Sequence, residues 1–137
     1  ARMIVIDTNV LVRDIVQDEP AQAAAATQLL ESQCTRDNPG FVSHLVLAEL
    51  CWVLGRGYGY DRDTLQTVLT GLLSSVELSV QESAVAWQAL RAFQSGNADF
   101  ADYLIGSSHA AHGCVTTWTF DRKAAKSPWH QLVGDAP

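Results

Sequence analysis

The chain has 137 residues, of which 47% are hydrophobic, and it carries a formal net charge of −6. We expect one globular domain over residues 1–137, because a chain of this length can bury a core without disulfide or metal support. Three cysteines lack zinc-like spacing, which argues against a disulfide framework and a structural zinc site. The negative charge argues against a protein that holds nucleic acid by broad positive charge. No segment reads as a signal peptide or a membrane span, so we expect a cytoplasmic protein without membrane association.

Strands and helices are predicted to alternate along the chain. Residues 3–6 are a short apolar run, typical of a strand covered on both faces, and the acid Asp7 ends it. Further strands are predicted at 41–42, 76–78 and 115–118, with an edge strand at Leu132 and Val133. Helices are predicted at 10–16, 20–31, 43–54, 61–75 and 100–112, with another that carries Val85, Leu90 and Phe93.

Local signals mark several helix ends. Pro20 suits the first position of a helix, and Ser43 is a good capping residue. The spacing of Ser79 and Glu82 is that of a capping box, and Gly113 stands where a left-handed cap is required. The alternation of elements predicts the α/β class, with helices on the faces of a parallel sheet.

Two acids directly follow predicted strands. Asp7 ends the first strand, and Asp121 follows the fourth in Thr-Trp-Thr-Phe-Asp. In an open parallel sheet, ligands bind beyond the carboxyl ends of the strands, so both acids stand where chemistry is usually done. The alternatives are that Asp7 caps the helix that begins near Asn9, and that Asp121 is an ordinary turn aspartate.

A third acid, Glu49, is the only charge between Leu45 and Leu54. A helix that is apolar nearly all round is expected to be buried. An ionised glutamate there costs several kcal/mol unless it is paired or binds a cation. The alternatives are an ion pair with Arg56 or Arg13, or a gap in the buried face.

Asp102 repeats this pattern in Phe-Ala-Asp-Tyr-Leu-Ile, and Asp99 lies one turn earlier on the same helix face. Asp99 has a strong alternative role as an acid that the helix dipole favours. Acids that meet at one crevice repel each other and stay ionised only beside a positive partner. Ligation by carboxylate oxygens alone selects magnesium or manganese over zinc, and bound cations would reverse the local charge. The acids therefore predict a divalent metal site.

The order of these motifs resembles a known family. Asp7-Thr8-Asn9 after a strand, Glu49 in a helix, Asp102 in Asp-Tyr-Leu-Ile, and Thr119-Phe120-Asp121 after a late strand resemble the four acidic motifs of PIN-domain ribonucleases. The opening and the Asp-Phe-Ala-Asp segment are most similar to the VapC toxins of bacterial toxin–antitoxin pairs. The resemblance implies an α/β/α sandwich with a central parallel sheet of four to five strands. It also implies magnesium-dependent endonuclease activity on RNA, a homodimer, and a VapB-like antitoxin protein as inhibitory partner.

The resemblance implies roles for individual residues. The metal-binding, catalytic acids would be Asp7, Glu49, Asp102 and Asp121. The polar supports would be Asn9 and Thr119, and Asp99 is an additional acid that contacts metal through water or not at all. Candidates for holding the substrate backbone are Arg13, Arg56, Arg62, Arg122 and Lys123, although a surface role is the default for each.

In this reading one or two metal ions activate a water molecule, so no general-base histidine is required. His109 and His112 are expected on an ordinary, partly exposed helix face, and His44 and His130 have no informative context. Two other classes of function remain. One is a PIN-like module that binds a protein or RNA without cutting it. The other is a phosphatase with Asp7 as nucleophile, although Asn9 stands where such families need a second aspartate.

Overall fold

The computed structural model describes residues 3–134, which form two compact units. The first unit ends at Gln81 and the second begins at Glu82. Each unit combines helices with one pair of parallel strands, which confirms the predicted α/β class. The expectation of one domain for the whole chain stays a prediction.

The first unit contains four α-helices and two strands. Its elements are α1 (Thr8–Val16), α2 (Pro20–Gln33), β1 (Gly40–Val42), α3 (His44–Trp52), a π-helical turn (Val53–Gly57), α4 (Arg62–Ser74) and β2 (Leu78–Val80). Strands β1 and β2 pair in parallel, with Gly40 opposite Leu78 and Val42 opposite Val80. The core of this unit includes Leu47, Leu50 and Leu69, each fully buried.

Capping hydrogen bonds explain where two of these helices, α2 and α3, begin. The carboxylate of Glu19 accepts a hydrogen bond from the Gln22 amide, directly before Pro20 at the start of α2. The Ser43 hydroxyl accepts one from the Val46 amide at the start of α3. The predicted roles of Pro20 and Ser43 are therefore confirmed.

The first predicted strand is shorter and less buried than expected. Val5 forms one isolated parallel bridge with Phe41, supported by hydrogen bonds from the Ile6 amide to the Phe41 carbonyl and from the Phe41 amide to the Ile4 carbonyl. Ile6 is buried, but Val5 is 71% exposed, so the expectation of a strand covered on both faces is wrong here. Helix α1 begins already at Thr8, which ends the extended segment after Asp7.

The second unit contains two α-helices and two strands. Its elements are α5 (Ser83–Ser95), α6 (Phe100–Ala111), β3 (Thr117–Thr119), a 3₁₀ turn (Ala124–Lys126) and β4 (His130–Leu132). Strands β3 and β4 pair in parallel over all three residues. Phe93 and Phe100 pack edge to face with ring centroids 5.9 Å apart, joining α5 to α6 in a buried core.

Some helix and strand boundaries differ from the predicted ones. The capping box at Ser79 and Glu82 is wrong: Ser79 lies within β2, and Glu82 stands before α5 with a left-handed backbone and no capping side-chain hydrogen bond. Gly113 does adopt the predicted left-handed conformation, at φ +83°. Strand β3 begins at Thr117 rather than Val115, because Val115 is almost fully exposed and unpaired.

The described strands form two separate pairs, whereas four to five strands were predicted in one sheet. Each strand is only three residues long, so each pair contributes few ladder hydrogen bonds. Among residues 3–134, no helix is long and apolar enough to cross a membrane.

Candidate functional site

Asp7 occupies the N-cap position of α1 with an extended backbone, at φ −80° and ψ 157°. Its exposed carboxylate makes no capping hydrogen bond. The amide of Val10, which a capping carboxylate would bind, donates instead to the Asp7 carbonyl at 3.1 Å. The alternative that Asp7 serves as a side-chain cap is therefore wrong, and its carboxylate is available to a ligand.

Asp99 repeats this arrangement at the start of α6. It is the N-cap residue, at φ −72° and ψ 150°, and its side chain makes no capping hydrogen bond. The amide of Asp102 donates to the Asp99 carbonyl at 3.1 Å. The backbone thus closes the first turn of α6 and leaves the Asp99 carboxylate uncommitted.

Glu49 lies on an exposed face of α3, which corrects the prediction that it is buried. Leu45, one turn before it, is 84% exposed, and Trp52, one turn after it, is 65% exposed. The apolar composition of α3 therefore includes an exposed stripe centred on this carboxylate. Among residues 3–134, no ion pair involves Glu49. Arg13, which was one predicted partner for an ion pair with Glu49, contacts other groups instead.

Arg13 is held by its own neighbours. Its guanidinium donates to the Gln22 side chain at 2.6 Å and to the Tyr58 hydroxyl at 3.2 Å, and it lies 3.5 Å from an Asp18 carboxylate oxygen. These contacts favour the surface role that was the default for Arg13. Asn9, Arg56, Arg122 and Lys123 are all exposed, which leaves them accessible to a substrate.

Two carboxylates of the second unit, those of Asp99 and Asp121, act on a third, that of Asp102. Asp102 is half-buried in the first turn of α6, and burial raises the pKa of its carboxyl group. The nearby Asp121 and Asp99 carboxylates raise this pKa further, against smaller opposing effects of His130 and a backbone hydrogen bond at Asp99. Binding of a proton or another cation would therefore relieve the electrostatic repulsion at Asp102.

Asp121 presents one of its two carboxylate oxygens to solvent. Its Oδ1 accepts hydrogen bonds from the amides of Lys123 and Ala124, at 2.8 and 3.0 Å, which places it before the 3₁₀ turn. The Thr119 hydroxyl accepts a hydrogen bond from the Asp121 amide at 3.0 Å. Asp121 is therefore a turn aspartate, which was the alternative interpretation of this residue. The same turn fixes the carboxylate and leaves Oδ2 without a hydrogen-bond partner within residues 3–134.

The five acids divide between the two units. Asp99, Asp102 and Asp121 interact in the second, while Asp7 and Glu49 belong to the first, where no hydrogen bond or ion pair among the described residues joins them. Within residues 3–134, no three His, Cys, Asp or Glu side chains converge closely enough to enclose a metal ion. The donor chemistry nevertheless fits a hard cation: all donors are carboxylates, and the described residues offer no Lys or Arg ion pair to any of the five.

The first unit also contains a pocket of about 610 Å³, whose walls include Leu11, Leu30 and Leu72. Neither Asp7 nor Glu49 lines it, and both acids are exposed. Small-molecule sites usually enclose most of their ligand. Acids on open surface suit a long polymer better than a small molecule.

Sequence patterns did not reveal three polar residues near these acids. Thr8, between Asp7 and Asn9, is 3% exposed, and its hydroxyl has no hydrogen-bond partner within the described chain. The partly buried Ser127 and the buried His130 form a pair, and Asp102 acts on the pKa of His130. The Asp-Thr-Asn motif could have drawn attention to Thr8, whereas only tertiary packing brings Ser127 and His130 to Asp102.

Comparisons with known proteins place this arrangement in a family. The PIN domain family matches residues 4–129, nearly the whole chain. A VapC ribonuclease from Aquifex aeolicus (strain VF5) is 23% identical over 124 residues, which cover 90% of this chain and 91% of that protein. The chain therefore belongs to the PIN domain family.

Proposed function

We propose that this protein is a magnesium-dependent endoribonuclease, with manganese as an alternative cation, and the toxin of a VapBC-type pair. The observation that carries the proposal is the environment of Asp102, a half-buried acid. Burial and two neighbouring carboxylates raise the pKa of Asp102, and it has no Lys or Arg ion pair among residues 3–134. Such a group is stabilised by a bound divalent cation. Membership of the PIN domain family and similarity to a VapC ribonuclease support the same conclusion.

The proposed metal-binding and catalytic acids are Asp7, Glu49, Asp102 and Asp121. When bound, the cation supplies activation of a water molecule and neutralises charge that develops on the scissile phosphate. The carboxylates orient the attacking water, so a general-base histidine is not needed. Asp99 lies close enough to Asp102 to affect its pKa and is proposed as an auxiliary acid.

The backbone prepares these carboxylates for their role. The Asp7 and Asp99 side chains make no capping hydrogen bond, because the Val10 and Asp102 amides donate to the Asp7 and Asp99 carbonyls instead. Two amides hold Oδ1 of Asp121, which restricts the rotation of its carboxylate. Thr119 is proposed to support Asp121 through the hydrogen bond to its amide, and Asn9 to act beside Asp7.

The substrate is proposed to be RNA, held in part by the exposed side chains of Arg122 and Lys123. Arg13 is a weaker candidate, since Asp18, Gln22 and Tyr58 already engage it. Hydrolysis by an activated water should leave a 5′-phosphate and a 3′-hydroxyl. A 2′,3′-cyclic phosphate end would contradict this mechanism.

The proposed partners are a VapB-like antitoxin and a second copy of the chain, and the proposed location is the cytoplasm. Exposed apolar side chains on both units, including Leu45, Trp52, Trp118 and Phe120, offer surfaces for protein contacts. The same surfaces favour the alternative function, a PIN-like module that binds protein or RNA without cutting it.

Cleavage of a structured RNA separates the two functions. Wild type and Asp7→Asn are incubated with RNA and Mg²⁺, and the same reaction is run with a chelator. Asp37→Asn, which changes an exposed aspartate in the loop between α2 and β1, is the matched control. We expect cleavage by wild type and Asp37→Asn only. Equal cleavage by Asp7→Asn, or none by the wild type, would overturn the nuclease proposal.

A further inference from the structure

Ser127 and His130 form a hydrogen-bonded pair between the 3₁₀ turn and β4. The Ser127 hydroxyl lies within hydrogen-bonding distance of His130 Nδ1, and it accepts a hydrogen bond from the Trp129 amide at 3.1 Å. His130 is only 8% exposed. Its imidazole is therefore held in one orientation by groups on its own strand and turn.

The imidazole packs directly on the backbone of α6. A Cβ atom at Gly106 would lie 2.5 Å from His130 Cε1 and 2.9 Å from Trp129 Cβ, so only glycine permits this approach. Gly106 follows Asp102 by one helical turn, on the same face. The Asp102 backbone and carboxylate both act to raise the pKa of His130, which indicates that the imidazole lies near Asp102.

The available donors and acceptors determine the direction of these hydrogen bonds. The Asp102 amide already donates to the Asp99 carbonyl, so the Asp102 backbone can offer His130 only its carbonyl as an acceptor. A proton on Nε2 would match this carbonyl and would leave Nδ1 to accept the Ser127 hydroxyl proton. Burial lowers the pKa of His130, against the raising effects of the Asp102 carboxylate and backbone, which agrees with a neutral ring.

We propose that His130, oriented by Ser127, is a positioning residue that fixes the first turn of α6 and thereby aims the Asp102 carboxylate at the metal. The inference rests on the proposed function. Asp102 needs such support because the Asp99 and Asp121 carboxylates repel it. Groups that orient a metal ligand typically change metal affinity or activity 10- to 100-fold when they are removed, so we expect about tenfold here.

Manganese binding tests this role without RNA. Paramagnetic resonance of Mn²⁺ is titrated with wild type, His130→Leu, Ser127→Ala and the conservative His130→Gln, which keeps a donor near Nε2. We expect about tenfold weaker binding for His130→Leu, a smaller loss for Ser127→Ala, and nearly wild-type binding for His130→Gln. In RNA cleavage, kcat should fall in the same order while KM stays constant.

Two variants serve as matched controls. His112→Gln removes an exposed histidine at the end of α6 that contacts Glu82 and Ser108. Ser95→Ala removes a hydroxyl that bonds only to carbonyls of its own helix, those of Arg91 and Ala92. Both should bind Mn²⁺ as the wild type does. A melting curve for each variant shows whether it is folded. If His130→Leu does not fold, Mn²⁺ binding by Ser127→Ala tests the positioning role instead.

Imidazole nitrogen resonances provide a second readout. In the wild type, the ¹⁵N shifts of His130 should show a protonated Nε2 and an unprotonated Nδ1, and Ser127→Ala should change them. Unchanged Mn²⁺ binding in folded Ser127→Ala and His130→Leu would overturn the positioning role while leaving the nuclease proposal intact. Wild-type Mn²⁺ binding without RNA cleavage would contradict only the proposed function, and absence of Mn²⁺ binding would overturn both.

Discussion

The N-termini of α4 and α1 begin with the same residue type but use it differently. Asp61 precedes α4 and Asp7 precedes α1, both with φ −80° and an extended backbone. The Asp61 carboxylate accepts hydrogen bonds from the amide and hydroxyl of Thr64, at 2.8 and 2.7 Å, whereas the Asp7 carboxylate caps nothing. The residue type alone therefore does not distinguish a structural acid from an available one.

The geometry of the first helical turn explains the difference. At α4 the Asp61 carbonyl accepts from the Leu65 amide, four residues on, which leaves the Thr64 amide for the carboxylate. At α1 the Asp7 carbonyl accepts from the Leu11 amide at 3.5 Å and also from the Val10 amide, three residues on, at 3.1 Å, which engages the donor that a cap would use. Asp99 at α6 follows the pattern of Asp7. In α1 and α6 the backbone thus engages the amide that a capping carboxylate would bind, and neither carboxylate makes a cap.

The strongest test of this comparison exchanges each acid for alanine. Asp7→Ala should reduce RNA cleavage at least about 100-fold, since losing a metal ligand removes several kcal/mol of transition-state stabilisation. Its melting temperature should not fall, because no capping bond is lost. Asp61→Ala should retain cleavage but melt at a lower temperature. The comparison fails if the two variants exchange these phenotypes.

Magnesium should stabilise the wild type and not the variants that lack a metal ligand. A ligand at a hundred times its dissociation constant adds about 2.7 kcal/mol to the free energy of unfolding. Melting curves of wild type, Asp102→Asn and Asp61→Ala with and without Mg²⁺ measure this gain. We expect Asp61→Ala to gain as much as the wild type and Asp102→Asn to gain little. An equal gain in all three would assign the cation to another site.

Ser43 extends the comparison to a cap that carries no charge. Its hydroxyl accepts a hydrogen bond from the Val46 amide at the start of α3, the helix that bears Glu49. Ser43→Ala should lower the free energy of unfolding by about 1 kcal/mol, the usual cost of losing such a cap. Urea unfolding measures the loss, and cleavage under folded conditions should be unchanged. A large loss of cleavage in a folded variant would mean that α3 needs its cap to place Glu49.

The pH dependence of stability should differ in sign between Asp102 and Asp61. The pKa of Asp102 is raised by burial and by Asp121 and Asp99, so its ionised form destabilises the folded state above that pKa. Without metal, Asp102→Asn should therefore raise the melting temperature at pH 7, and the gain should vanish as the pH falls toward 3.8, the ordinary pKa of an aspartate.

The pKa of Asp61 is lowered by its hydrogen bonds to Thr64, so its contribution is present above the ordinary pKa and is lost as the pH falls. Asp61→Ala should accordingly destabilise the protein at pH 7, and the difference from wild type should shrink in acid. Thermal melts between pH 3 and pH 7 compare the two variants. Parallel curves for both would show that Asp102 is held by a structural interaction.

Local sequence determined most helices and the positions of the acidic motifs. Ser43 before α3, Pro20 at the start of α2 and Gly113 after α6 act within a few residues, so their roles follow from residue type and spacing. The order of the four acidic motifs was likewise enough to predict the PIN domain family.

Tertiary structure alone decided the surroundings of each acid. Glu49 stands in an apolar segment yet is exposed, because α3 keeps Leu45 and Trp52 on an open face. Burial raises the pKa of Asp102, and Asp121, nineteen positions later, raises it further. His130 had no informative context until Gly106 allowed it to pack behind Asp102. Burial, charge repulsion and hydrogen-bond competition arise between segments distant in sequence, and residue spacing does not encode them directly.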